Sequence, residues 1–120
     1  MVLVDTSVWV SHLRDGNTEL ASLLNDGRVL SHPLIVGELA CGNLKDRAVI
    51  LSFLQLLPVC IKAAHEEALS FIENNNLMGK GIGYVDVHLI ASAVLTGVPI
   101  WTLDKKLAQV AHGLHIKYRN

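Results

Sequence analysis

Four carboxylates in this 120-residue chain stand where chemistry explains them better than surface decoration does: Asp5, Glu38, Asp86 and Asp104. Asp5 closes the apolar run Val2-Leu3-Val4, and Asp104 closes Ile100-Trp101-Thr102-Leu103. Short runs rich in branched residues read as buried strands, and open parallel sheets bind ligands beyond the carboxyl ends of their strands. Both acids therefore reach one sheet edge. Glu38 follows Leu34 and Ile35 by four and three residues, and Asp86 precedes Leu89 and Ile90 by three and four. That spacing sets each acid on an apolar helical stripe that is expected to be buried. A carboxylate there must be paired, protonated or bound to a cation. The competing roles are a helix cap for Asp5 and Asp104, a favourable helix N-terminus for Asp86, and a solvated edge for Glu38. The other acids fall mostly on polar turns or solvent faces, so these four together ask for a common explanation.

The elements that must position them alternate between strand and helix. Thr6 or Ser7 can cap a helix carrying Val8, Trp9 and Leu13, which the Asp15-Gly16-Asn17 turn ends. Thr18–Asn25 reads as a second short helix and Arg28–Ser31 as a second strand, closed by His32-Pro33. The helix bearing Glu38 runs from Leu34 to Cys41, and Asp46 is expected to cap an almost continuously apolar helix ending at Leu57. Pro58–Ile61 reads as a third strand, Ala64–Leu77 as an amphipathic helix and Met78–Gly83 as a glycine-rich loop. Tyr84–Thr96 is the helix bearing Asp86, stopped by Gly97-Val98-Pro99. Ile100–Leu103 is a fourth strand, Lys105–Ala111 a short helix and Leu114–Tyr118 a last strand. The alternation predicts one α/β domain over residues 1–120, a mostly parallel sheet of about four to five strands flanked by helices.

Composition bounds the function. Hydrophobic residues make up 51 % of the chain and charged ones 18 %, which excludes disorder. So much apolar surface suggests either a well-filled core or a homodimer or bound partner. A net charge of −1 excludes a global basic field, so any contact with phosphates is expected to be local or metal-mediated. Cys41 and Cys60 lie in different elements and read as reduced core residues. The uncharged stretches Ala48–Ile61 and Leu89–Leu103 are too short to span a membrane, and each is broken by proline. Met1 leads straight into Val-Leu-Val-Asp with no basic leader, so the expectation is a soluble cytoplasmic protein. The histidines lack the paired spacing of a zinc site, and His88, two residues from Asp86, should point away from it. Trp9 and Trp101 read as core residues.

Taken in order, Val2-Leu3-Val4-Asp5-Thr6-Ser7, the helix with Glu38-Leu39, Gly81-Ile82-Gly83-Tyr84-Val85-Asp86 and Thr102-Leu103-Asp104-Lys105-Lys106-Leu107 resemble the four acidic motifs of VapC-type PIN domains. The resemblance covers essentially the whole chain. It implies a divalent-metal endoribonuclease (hydrolysing RNA phosphodiesters with Mg²⁺ or Mn²⁺) that is toxic when freed from a VapB-like antitoxin. It assigns the metal to Asp5, Glu38, Asp86 and Asp104, directly or through water. Carboxylate oxygens suit such hard cations, and the ion relieves the repulsion among clustered acids. Thr6, Ser7 and Thr102 can orient a carboxylate or a water, or serve as caps. Lys105 and Lys106 stand where many relatives carry a further acid, which argues against a second tightly held ion. They and Lys80 are candidates for substrate phosphate, with Arg14 and Arg47 behind them. An aspartyl phosphotransferase would want a second Asp where Ser7 stands. A PIN-like module that binds RNA or protein without cutting is the main alternative.

Overall fold

The structure is a computed structural model that describes residues 1–119. Among the described residues the order is β1 (Val2–Val4), α1 (Thr6–Asp15), α2 (Thr18–Asn25), β2 (Val29–Leu30), α3 (Pro33–Ala40), α4 (Arg47–Leu56), α5 (His65–Asn75), α6 (Tyr84–Thr96), β3 (Ile100–Trp101) and α7 (Lys105–Gly113). The strands form a parallel sheet in the order β2-β1-β3. β1 is central, paired on one side with β2 and on the other with β3, and all three of its residues are buried apolar side chains, as in a strand covered on both faces. No helix of the described residues is long and apolar enough to cross a membrane.

The α/β fold and the parallel sheet are as the sequence predicts, but the outer strands are shorter. Residues 58–61 and 114–118 each join the sheet through one parallel bridge, Ser31 with Val59 and Ile100 with Lys117. The reason is where the backbone donors go. Pro58 has no N–H to give a ladder. Beyond Cys60, the Ile61 amide donates to Thr96 Oγ1 at 2.9 Å and the Ala63 amide to Ser92 Oγ at 3.1 Å, so this stretch is tied to α6 instead. Likewise β3 ends at Trp101, not Leu103, because the Leu103 and Asp104 amides are spent on side-chain hydroxyls.

The core explains why the helices hold their positions. Leu3, Trp9, Leu20, Ile35, Leu39, Leu54, Leu89, Ile90, Ile100 and Leu107 are all fully buried. Burying each such side chain stabilises the fold by about 1.5–3 kcal/mol. Trp9 and Trp101 are core residues, as expected. Helix α6 is buried from Val87 through Ala93, so it is the central helix of the molecule, and Gly97 at φ 76° ends it in the left-handed conformation.

Several local expectations are corrected. Asp5, not Thr6 or Ser7, caps α1. Asp46 precedes α4 but sits at φ 53° and makes no side-chain cap. Cys41 is exposed at the end of α3, while Cys60 is buried; both are free thiols. His32 caps α3 by accepting the Leu34 amide at its Nδ1. Burial chiefly, then the neighbouring His88 and Lys62, lower its pKa to about 4, so the ring stays neutral and able to accept.

Candidate active site

The carboxyl ends of β1 and β3 meet at one edge of the sheet, and the first site element is built there. Asp5 is 5 % exposed, and its amide donates to the Trp101 carbonyl at 2.9 Å, locking the end of β1 to β3. Asp5 Oδ2 accepts from Ser7 Oγ at 2.7 Å, Thr102 Oγ1 at 2.8 Å and, more weakly, the Ser7 amide at 3.4 Å. With both hydroxyl protons given to Asp5, the two hydroxyl oxygens take backbone donors. Ser7 Oγ accepts the Leu103 amide at 2.9 Å, and Thr102 Oγ1 accepts the Asp104 amide at 3.0 Å. One network therefore fixes Asp5, the start of α1 and the entry to α7. The expectation that Ser7 and Thr102 orient a carboxylate fits this geometry.

The other three acids arrive on helices. Glu38 on α3 accepts at Oε1 from Thr6 Oγ1 at 2.6 Å. Asp86 in the first turn of α6 accepts at Oδ2 from the Gly83 amide at 3.2 Å. Asp104 caps α7, its Oδ1 accepting from the Leu107 amide at 3.0 Å. The capping roles are thus real for Asp5, Asp86 and Asp104, and they use one oxygen of each carboxylate. Among the described residues each of the four acids is held by one oxygen, leaves the other without a protein partner, and makes no ion pair.

Electrostatics joins them into one group. Burial chiefly, then the charges of Asp5, Asp104 and Glu38, push the Asp86 carboxyl above its ordinary range, against the opposing effect of the Gly83 hydrogen bond. The four do not form a closed coordination shell. Among the described residues no three His, Cys, Asp or Glu side chains sit close enough together to hold an ion between them. Glu38 also departs from expectation in being exposed. The buried stripe of α3 is Ile35 and Leu39, one turn apart, and Glu38 lies beside it, not on it.

The cations sort differently. Lys105 and Lys106 are exposed at the start of α7, and Lys80 is exposed in the loop before α6. The stem of Lys106 lies across Gly81, whose φ is +80° and where a Cβ would come within 2.6 Å of it. Glycine at that position admits the lysine, a role with no signal in the local sequence. Arg14 pairs with Asp15 at 2.9 Å in solvent, and Arg47 donates to the Gly42 and Ala40 carbonyls at the end of α3. Neither is placed for phosphate. His88 is buried and stacked edge-to-face on Tyr84 with ring centroids 4.6 Å apart, consistent with a packing role.

A short parallel sheet with Asp5 at its carboxyl edge, and with Asp5, Glu38 and Asp104 separately anchored within electrostatic reach of Asp86, defines an α/β class with acidic character beside that edge. The PIN-domain family model matches residues 2–113, and the chain belongs to that family. Within it, the chain is 43 % identical over 108 residues to Ribonuclease VapC32 of two Mycobacterium tuberculosis strains, an alignment covering 89 % of this chain and 87 % of the relative. Among solved structures the fold matches FitAcB from Neisseria gonorrhoeae with a TM-score of 0.65, 21 % identity and coverage of 93 % of this chain and 94 % of the other. It also matches PAE2754 from Pyrobaculum aerophilum with a TM-score of 0.61, 16 % identity and coverage of 91 % and 78 %. At those identities the two structures speak to the fold.

Proposed function

We propose that this chain is an endoribonuclease, the toxin of a toxin–antitoxin pair, with Asp5, Glu38, Asp86 and Asp104 holding Mg²⁺ or Mn²⁺. The ribonuclease reading is supported by the likeness to Ribonuclease VapC32 over most of both chains. The observation that carries the metal reading is the free oxygen on each of the four carboxylates, with no cationic side chain neutralising any of them. Unpaired carboxylates whose combined charge helps raise the pKa of Asp86 are a site for a hard cation with oxygen preference. When bound, the ion would lower the pKa of a water and offset negative charge developing on the phosphate.

The chain's own residues contribute position and charge. Ser7 and Thr102 fix Asp5 in one rotamer, and Thr6 does the same for Glu38, so each offers its second oxygen in a set direction. Asp86 and Asp104 are fixed by the first turns of α6 and α7, where helix dipoles favour their negative charge. Lys105, Lys106 and Lys80 supply positive charge for the substrate phosphates beside this acidic edge. The exposed apolar residues of α4, Val49 at 69 % and Leu56 at 84 %, are the face proposed for a homodimer or a VapB-like antitoxin. On this reading the protein works in the cytoplasm, where its RNA is.

Incubating purified protein with single-stranded RNA tests the reading. Cleavage is expected with Mg²⁺ or Mn²⁺ and should stop with excess EDTA. Cleavage undiminished by chelator would overturn the metal mechanism, and RNA binding without cleavage would leave the binding-module alternative.

A further inference from the structure

The net charge of −1 conceals a segregation along the chain. Residues 1–104 hold six Lys and Arg against all eleven Asp and Glu, a net of −5, whereas residues 105–120 hold Lys105, Lys106, Lys117 and Arg119 and no acid, a net of +4. The fold turns this sequence asymmetry into a surface. Helix α7 leaves directly from Asp104, so its basic residues begin at the acidic edge. Lys105, Gln109 and His112 recur at the spacing of one helical face, and with Lys117 they line a single depression. His112, His115, Lys117 and Arg119 line the next one.

The terminal segment continues that face by a different periodicity. His115, Lys117 and Arg119 are exposed, while Ile116 and Tyr118 between them are half-buried, the alternation of an extended strand. Its backbone is anchored, with the Ile100 amide donating to the Ile116 carbonyl at 2.8 Å and the Tyr118 amide to the Ile100 carbonyl at 2.9 Å. The Tyr118 hydroxyl donates to Glu19 at 3.0 Å, which holds the inward side of the strand in place. On a neighbouring face Lys106 lies over Gly81 and lines a third depression with Lys80. Among the described residues none of Lys105, Lys106, Lys117 and Arg119 is in an ion pair.

We propose that the face running from Lys105 through His112 to Lys117 and Arg119 binds the phosphate backbone of the RNA strand being cut. The proposal rests on the nuclease reading above. Four carboxylates repel a polyanion, so a substrate strand needs compensating charge close to where it is cleaved. This face supplies it, and its contiguity with Asp104 favours a strand that serves both places over a separate acidic protein. From Lys105 to His112 the helix rises roughly 10 Å, enough to reach beyond a single phosphate before Lys117 and Arg119 extend the track.

Affinity for a single-stranded RNA of about ten nucleotides, measured against salt concentration, tests this. The background is the full chain carrying Asp86→Asn, so that RNA is not consumed. Adding Lys117→Ala with Arg119→Ala should weaken binding at low salt by at least about tenfold and make the salt slope shallower by about 1.4, since each single-strand phosphate contact contributes about 0.7. Lys45→Ala with Lys62→Ala, which removes the same charge elsewhere, should leave both unchanged. If the alanine pair fails to fold, Lys117→Gln with Arg119→Gln keeps the first two methylenes of each stem and reads the same slope. An unchanged slope and affinity would overturn the proposal. So would intact RNA binding with loss of binding to polyglutamate, which would assign the face to an acidic protein. Absence of metal-dependent cleavage by the unmodified protein would strike the nuclease reading, whereas intact cleavage with an unchanged slope strikes only the track.

Discussion

Replacing Asp86 by Asn is expected to cost RNA cleavage on the order of a thousandfold while leaving the fold intact and, without metal, more stable. The activity loss follows from removing one of the four charges proposed to hold the cation, whose stabilisation of the transition state would be worth several kcal/mol. The fold survives because Asn keeps an oxygen for the Gly83 amide, so the first turn of α6 retains its partner. The gain in stability follows from the cause of the raised pKa: burial first, then the charges of Asp5, Asp104 and Glu38. The folded chain binds that proton more tightly than the unfolded chain. The contribution therefore favours folding at low pH and is lost as pH rises from the ordinary value of 3.8 upward through the raised one. Urea unfolding of the wild type and of Asp86→Asn between about pH 3 and pH 7 isolates it, because the other carboxylates are common to both. The wild type should lose ground to the variant as pH rises. A flat difference, or full cleavage by the folded variant, would remove Asp86 from the site.

The second large effect is on stability. A divalent cation that binds the native carboxylates and not the unfolded chain should stabilise the protein by about 2.7 kcal/mol at a hundredfold excess over its dissociation constant. For a domain of this size that raises the melting temperature by about 10 °C. Thermal unfolding with Mn²⁺ added, then removed by EDTA, should show the shift appear and reverse. Asp86→Asn should start higher and move far less. An equal shift in both proteins would place the ion elsewhere, for instance on the acidic first turn of α5.

Much of this was legible in the sequence, and the reasons are particular. Asp5 and Asp104 were readable because an acid ending an apolar run favours the sheet edge or a cap on the helix beyond it; both cap the following helix, and Asp5 also stands directly at the end of β1. The helices Thr18–Asn25 and Tyr84–Thr96 fall where the periodicity and stop signals put them. Glu38 was placed on the right helix but at the wrong depth. Leu34 suggested a wider apolar stripe than the fold buries, and only tertiary packing selects Ile35 and Leu39. The outer strands were overestimated because a branched, apolar run does not reveal that Thr96 and Ser92 will take its amides. The same holds for Leu103, whose amide goes to Ser7, 96 positions earlier in the chain. Side-chain competition for backbone donors over such separations leaves no local pattern. The basic face was invisible to a net charge, which sums what the fold keeps apart.

Asp5, Glu38, Asp86 and Asp104 are proposed to receive one kind of cation together beside the sheet edge. Paramagnetic broadening of the protein's amide resonances by substoichiometric Mn²⁺ tests this most directly, because broadening reports distance from the ion and needs no substrate. The amides of Asp5, Thr6, Glu38, Asp86 and Asp104 are expected to broaden first and to recover when EDTA is added. Broadening centred on Glu66 and Glu67 of α5, with those five amides left sharp, would contradict the shared site.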